Sequence, residues 1–404
     1  MGKIIAFLKE NMNWIFDGIG VAVFTFLAGF FIKDKIEKII KNKGENNIQK
    51  NIEGDNKGNQ EIVNSPNSQP ILVQGDYING ITEKQAKEVA LEVFKANFAE
   101  LSVASNNIAL QRAEELTNEF LDMVFQKNSK LIERFTEPGF QYSFINAQIQ
   151  YARTGEKITK EILIEALNKR IETPEQTLKQ KIYDETIVNI SKITPEQMNF
   201  LTLWYVVLCK KEAVGNKEAL KTFINNKILK FYSNDYNNSQ FFQYLYYTGC
   251  AKVLSEGSTF KPIEELFKNH YSGIFSKGFT EDEFKSKVDT DIEKYNKVLI
   301  NCLNDSTKLQ FDALNENVLR GRIKEFNITE NVDKIISLEK EKQMDVSEVR
   351  KELIKICPEI ESLLTLWKDS REVKSLELTP IGMTIAILNY NRATGEDIDI
   401  DKIV

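Results

Sequence analysis

Nineteen consecutive residues, Trp14 to Ile32, carry a single charge, Asp17, among otherwise apolar, small or hydroxyl side chains. As a helix rising 1.5 Å per residue, such a stretch spans about 28 Å, close to the hydrocarbon thickness of a bilayer. A cleaved signal peptide has a shorter apolar core and a small-residue cleavage site beyond it. Here Lys33, Lys35, Lys38, Lys41 and Lys43 follow instead. The segment reads as a retained transmembrane anchor, the alternative being a helix buried in a protein core. Only Lys3 and Lys9 precede it. The positive-inside rule therefore puts the N-terminus outside and the residues after 33 in the cytoplasm. High Lys, Asn and Ile usage fits a bacterial chain, so the expected location is the inner (cell) membrane, crossed once.

One face of the span is small. Gly18, Ala22, Thr25 and Gly29 recur at spacings of four, three and four, which places them on one helical stripe. Small residues let membrane helices approach and gain packing that lipid does not supply. With Asp17 near the outer end, the stripe reads as a pore or oligomer seam whose copies form an acidic collar. The plainer reading keeps the glycines as ordinary membrane-helix residues and Asp17 among headgroups. Both stand at this point.

Residues 42–80 change character: Asn, Gly, Gln and Ser dominate and helical periodicity vanishes. This stalk reads either as a flexible tether or as short strands. Apolar pieces such as Ile62-Val63 and Ile71-Leu72-Val73, and the similar Ile52-Glu-Gly-Asp-Asn56 and Val73-Gln-Gly-Asp-Tyr77, favour strands completed by neighbouring subunits.

From residue 81 the pattern is helical. Thr82 with Gln85, and Ser102, are N-cap candidates for two helices running to about Phe135. Thr159 before Lys160, Thr194-Pro195-Glu196-Gln197, Thr280 with Glu283, and Asp345 with Glu348 mark further starts. The fold class is mainly α. The expected order is an anchor with its basic flank (1–41), a stalk (42–80), and an irregular helical-bundle cytoplasmic domain (81–404) in two lobes, 81–240 and 250–404. A soluble portion of roughly 300 residues buries a substantial core.

Chemistry-bearing motifs are scarce. His270 is the only histidine, and Cys209, Cys250, Cys302 and Cys357 form no C-x-x-C pair. The usual zinc sites and His-based nucleophile pairs therefore lack their parts. The cysteines fit reduced core positions, and no P-loop pattern occurs. We expect no enzymatic activity, no catalytic or metal-binding residues and no cofactor. The net charge of −6 argues against a broad nucleic-acid-coating surface but leaves room for a local basic pocket.

Two stretches are ligand candidates. Arg320, Arg322 and Lys324 form a tight basic patch that suits a phosphate, with Gly321 suggesting a helix break; equally, they complement a helix C-terminus. The aromatic run Phe231, Tyr232, Tyr236, Phe241, Phe242, Tyr244, Tyr246 and Tyr247 either fills a core or, through Tyr244 and Tyr247, stacks a base.

Gly80-Ile-Thr-Glu83 leading to Val93-Phe-Lys-Ala-Asn-Phe98, and the tail Leu378-Thr-Pro-Ile-Gly382 with Ile385-Ala386, resemble a sparsely characterised bacterial family found among phage-defence and mobile-element genes. The overall plan also resembles membrane effectors paired with a nucleotidyltransferase, of the Hailong type. The resemblance implies a homo-oligomeric membrane channel controlled by a nucleotide or oligonucleotide, with a nucleotidyltransferase partner. It covers under a tenth of the chain and carries over no site residue. A membrane-tethered module that recruits a soluble partner is the alternative.

Overall fold

Helix ends in this chain are set by short polar side chains, proline and glycine, and the computed structural model shows them in place. It describes residues 103–400, apart from 237 and 256–258, together with single helical positions between 84 and 95. The Asp17–Gly29 seam, the rest of the 14–32 segment and the 42–80 stalk lie outside these residues. Among the described residues the protein is mainly helical, and no helix is long and apolar enough to cross a membrane.

Three of the expected starts are complete capping boxes. Thr194, Thr280 and Asp345 each accept a hydrogen bond from the N–H of the third helical residue, whose Gln197, Glu283 or Glu348 side chain accepts in turn from the backbone N–H of the cap. Each box satisfies two backbone donors that a helix start otherwise leaves open. Thr159 is a correction: its helix begins at Lys157, two residues earlier. Thr159 lies buried inside the first turn, with its hydroxyl donating to Glu156. Gly321 is another, since helix continues through it from Glu316 to Glu325.

The chain divides into two compact units, residues 1–191 and 192–404. The described part of the first holds α1 (Val103–Asn128), α2 (Pro138–Thr154), α3 (Lys157–Glu172) and α4 (Leu178–Ile190). The helix expected to reach about Phe135 leaves α geometry at Asn128 and finishes as a 3-10 turn over Ser129–Thr136. Phe120, Phe135, Phe140 and Phe144 pack as one aromatic cluster, with centroids 4.9–6.2 Å apart. Arg170 on α3 is wholly buried, so it must be paired. Its Nε donates to Asp184 at 2.6 Å and its Nη2 to Glu175 at 2.7 Å, which ties α3 to α4 and to their connection. Asn168, also wholly buried, has neither amide atom paired, which costs stability.

The second unit opens with α5 (Pro195–Leu208), α6 (Lys217–Phe223), α7 (Ser239–Tyr247), β1 (Ala251–Val253), α8 (Ile263–His270) and α9 (Glu281–Val288). Then come β2 (Leu299–Asn301), β3 (Leu309–Phe311), α10 (Glu316–Glu325), α11 (Val332–Glu341), α12 (Val346–Ile356) and α13 (Glu361–Asp369). It closes with α14 (Arg371–Ser375), β4 (Leu376–Leu378) and α15 (Pro380–Thr394). The strands form two antiparallel pairs, β1 with β4 and β2 with β3. Phe279, Phe284, Tyr295, Phe311, Leu319 and Ile335 belong to one buried cluster, which joins the β2–β3 pair to α9, α10 and α11.

The other core of this unit is the α5–α15 pair. Both helices are buried on almost every face. Polar groups inside them find each other: Asn389 Nδ2 donates to Thr202 Oγ1 at 2.8 Å, and Trp204 Nε1 to the Leu376 carbonyl at 2.9 Å. The first turn of α15 lies so close to Cys250 that a Cβ at Gly382 would sit 1.8 Å from the Cys250 carbonyl oxygen. Backbone must move to accept one. Gly382→Ala is therefore expected to lower the unfolding free energy by about 3 kcal/mol or more, measured by urea denaturation. An unchanged midpoint would refute this close approach.

Candidate functional site

The expected ligand residues are dispersed over different elements. Arg320 on α10 donates to Glu316 at 2.8 Å, and Arg322 is paired with Asp312. Lys324 stands exposed in the last turn of the helix. Two of the three cations are thus neutralised by nearby carboxylates, and Glu316 also holds Lys340 at 3.0 Å. Tyr244 and Tyr247 sit one turn apart on α7, both exposed, with ring centroids 6.0 Å apart. The rest of the aromatic run is largely core. Phe231, Tyr236 and Phe242 are buried, and Phe200 receives Tyr236, Phe241 and Phe242 edge-on at 5.2–5.6 Å.

The densest charge constellation of the second unit lies elsewhere, where three stretches of chain end. Helix α5 stops at Leu208, delivering Lys210 and Glu212. Helix α6 widens into a π turn over Ile224–Ile228, closed by Leu229 N–H donating to the Ile224 carbonyl, and this turn presents Lys227. Helix α15 ends at Gly395, whose φ of 75° turns the chain sharply and returns Glu396 toward the helix it has just left.

Glu396 then collects three donors. Lys210 Nζ lies 2.6 Å from Oε2, the Tyr390 hydroxyl 2.8 Å from Oε1, and Lys227 Nζ also bonds Oε1. Lys227 reaches Glu212 at 2.7 Å, and Lys210 rides 5.3 Å above the Tyr390 ring. Lys230 caps the end of α15 through the Ala393 carbonyl. These cations sit where helix carbonyls gather negative potential, which adds to their hold.

Burial alone would raise the Glu396 carboxyl, but hydrogen bonds from Lys210, Lys227 and Tyr390 outweigh it and bring it down to about 2. Burial, then the bond to Glu396, pushes the Tyr390 phenol up. Sequence inspection did not single out this cluster, because Lys210 and Glu396 stand 186 residues apart. The one local signal was Gly395 followed by a carboxylate.

Other reactive types are quiet. Burial pushes the thiols of Cys250 and Cys357 up, the latter to about 11, so neither is a thiolate near neutrality. Burial and then Lys211 lower the His270 pKa. Among the described residues no group of three or more His, Cys, Asp or Glu is arranged to hold a metal ion.

By its architecture the described chain is a mainly helical protein of two units. A protein-family model that carries no functional description matches residues 80–404, and the chain belongs to that family. The apolar segment and nearly all of the stalk precede the match. No curated protein and no solved structure matches the chain.

Two outcomes test this geometry. The Glu396 pKa falls from its ordinary 4.5 to about 2 on folding. Its contribution is therefore full above pH 4.5 and lost as pH falls through 2. Glu396→Gln is expected to be less stable than wild type at pH 7 and to lose less stability between pH 4.5 and 2, read by denaturant titration at each pH. Parallel acid profiles would contradict the clasp. At Gly321 a Cβ meets nothing within 4 Å. Gly321→Ala should accordingly raise stability by about 0.5–1 kcal/mol, and a lower denaturation midpoint would contradict an uninterrupted α10.

Proposed function

We propose that the chain is a membrane-anchored, homo-oligomeric effector. Its cytoplasmic helical body controls a pore formed by the N-terminal spans, in response to a nucleotide or oligonucleotide. The observation that carries this reading is the apolar run from Trp14 to Ile32 followed by five lysines within residues 33–43. Lipid is the natural surroundings for such a run. The small stripe Gly18, Ala22, Thr25 and Gly29 supplies a packing seam between copies, with Asp17 at its outer end. Antiphage defence, with a nucleotidyltransferase as partner, is the setting suggested by the resemblance of the short motifs at 80–98 and 378–382.

A second reading, a membrane-tethered module that recruits a soluble protein, is favoured by the solvent-facing Tyr244–Tyr247 pair on α7. Exposed tyrosines one turn apart present a rigid, amphipathic surface of the kind partners use.

Reconstitution separates the two. Full-length protein in liposomes is expected to pass ions when a candidate oligonucleotide is added, and protein lacking residues 1–33 to pass none. Absence of flux under every condition, together with a stoichiometric protein captured by full-length protein in detergent, would replace the effector by the recruitment module.

A further inference from the structure

The Glu396 clasp has the composition of an anion site with its own acceptor already inside. Lys210, Lys227 and the Tyr390 hydroxyl come from three separate stretches and converge on one carboxylate. Both lysine side chains are partly open to water, at 18% and 28% exposure. Lys211 stands exposed beside Lys210, and Lys230 reaches the end of α15. The lysines at 210, 211, 227 and 230 thus outnumber the two carboxylates, Glu212 and Glu396, that the bonds above place among them. One of the two central lysines sits on a π turn, a distortion that sacrifices regular helix geometry and is often kept where it aims a side chain at a ligand. The acceptor is carried just beyond Gly395, where the Asn391 side chain and the Ile398 backbone exchange two bonds, at 2.9 and 3.0 Å, and the Ile400 side chain is buried.

We propose that Lys210, Lys227 and Tyr390 form a binding site for the phosphate group of a small phosphorylated ligand, and that Glu396 is an internal plug the ligand displaces. A carboxylate brings one negative charge and two oxygens. A terminal phosphate brings about two charges and three oxygens, and so makes fuller use of two ammonium groups and a hydroxyl. The 395–400 segment then turns out about Gly395 when the site fills. This deepens the ligand-controlled reading given above, replacing the largely neutralised Arg320 patch as the place where control begins.

Inorganic pyrophosphate is the probe, titrated calorimetrically into full-length protein in detergent at pH 7. Glu396→Gln removes the plug's charge and is expected to bind at least tenfold more tightly than wild type. Adding Lys210→Ala and Lys227→Ala to that variant should abolish binding. Equal affinities in wild type and Glu396→Gln, or binding that survives loss of both lysines, would overturn the proposal. Should Glu396→Gln fail to fold, limited proteolysis of wild type decides. Saturating pyrophosphate is expected to speed cleavage within 395–400 severalfold, and unchanged cleavage would overturn the plug. Binding is read without ion flux, so failure here leaves the pore standing, and absence of flux leaves this site standing.

Discussion

Helices α5 and α15 face protein on nearly every side, and that requirement organises the second unit. From Gln197 to Val207 and from Thr384 to Asn391 the buried positions run without a polar face. An amphipathic helix is content with one neighbour; a helix apolar all round must be encased. The two cover each other along one seam, and the seam admits the Tyr205 and Tyr390 rings edge to face at 5.9 Å. β4 accepts the Trp204 indole proton, and the Cys250 backbone closes over Gly382. Threonine and asparagine inside such a pair are costly unless joined, and the Asn389–Thr202 bond joins them.

The same encasement explains where the charges go. Where α5 and α15 emerge at their C-terminal ends, free carbonyls reach a polar boundary together, and lysines gather there. Lys210 and Lys230 answer that potential, and Glu396 balances the lysines in turn. The first unit solves its own burial differently. Arg170 is drawn fully inside and neutralised by Asp184 and Glu175, while Lys160 is shared by Glu115 and Glu119. Such pairs add little net stability, since burying charges costs nearly what pairing returns, whereas removing one partner alone would strand the other.

Local signals in the sequence were legible because their partners lie three residues away. Thr194 with Gln197, Thr280 with Glu283 and Asp345 with Glu348 needed no tertiary knowledge. Thr159 misled because a hydroxyl before an apolar run serves a first turn as well as a cap. Gly321 misled because glycine marks a break only where the backbone needs positive φ, and α10 has no such need. The basic patch of residues 320–324 was visible as charge, but the neutralising Asp312 was not, since pairing depends on the loop that precedes the helix. The Glu396 cluster was beyond reach. Its parts are assembled by α5 meeting α15, and nothing in a one-dimensional pattern states which two apolar helices choose each other.

A ligand controls a protein only by binding two of its arrangements unequally. An internal carboxylate on a two-lysine cradle would supply such an inequality, because the cradle is either occupied by Glu396 or free. The plug is tethered through Gly395 to the very helix that carries Tyr390, so its effective concentration is high, on the order of millimolar or above. A competing anion must exceed the plug in charge or in number of contacts, which sets aside chloride and monocarboxylates and favours phosphates. Asn391 adds to the threshold by holding Ile398, so its bonds tune how readily the segment leaves. On the proposed scheme, selectivity for phosphate and resistance to accidental opening come from one arrangement, three donors facing an acceptor weaker than the ligand they fit best.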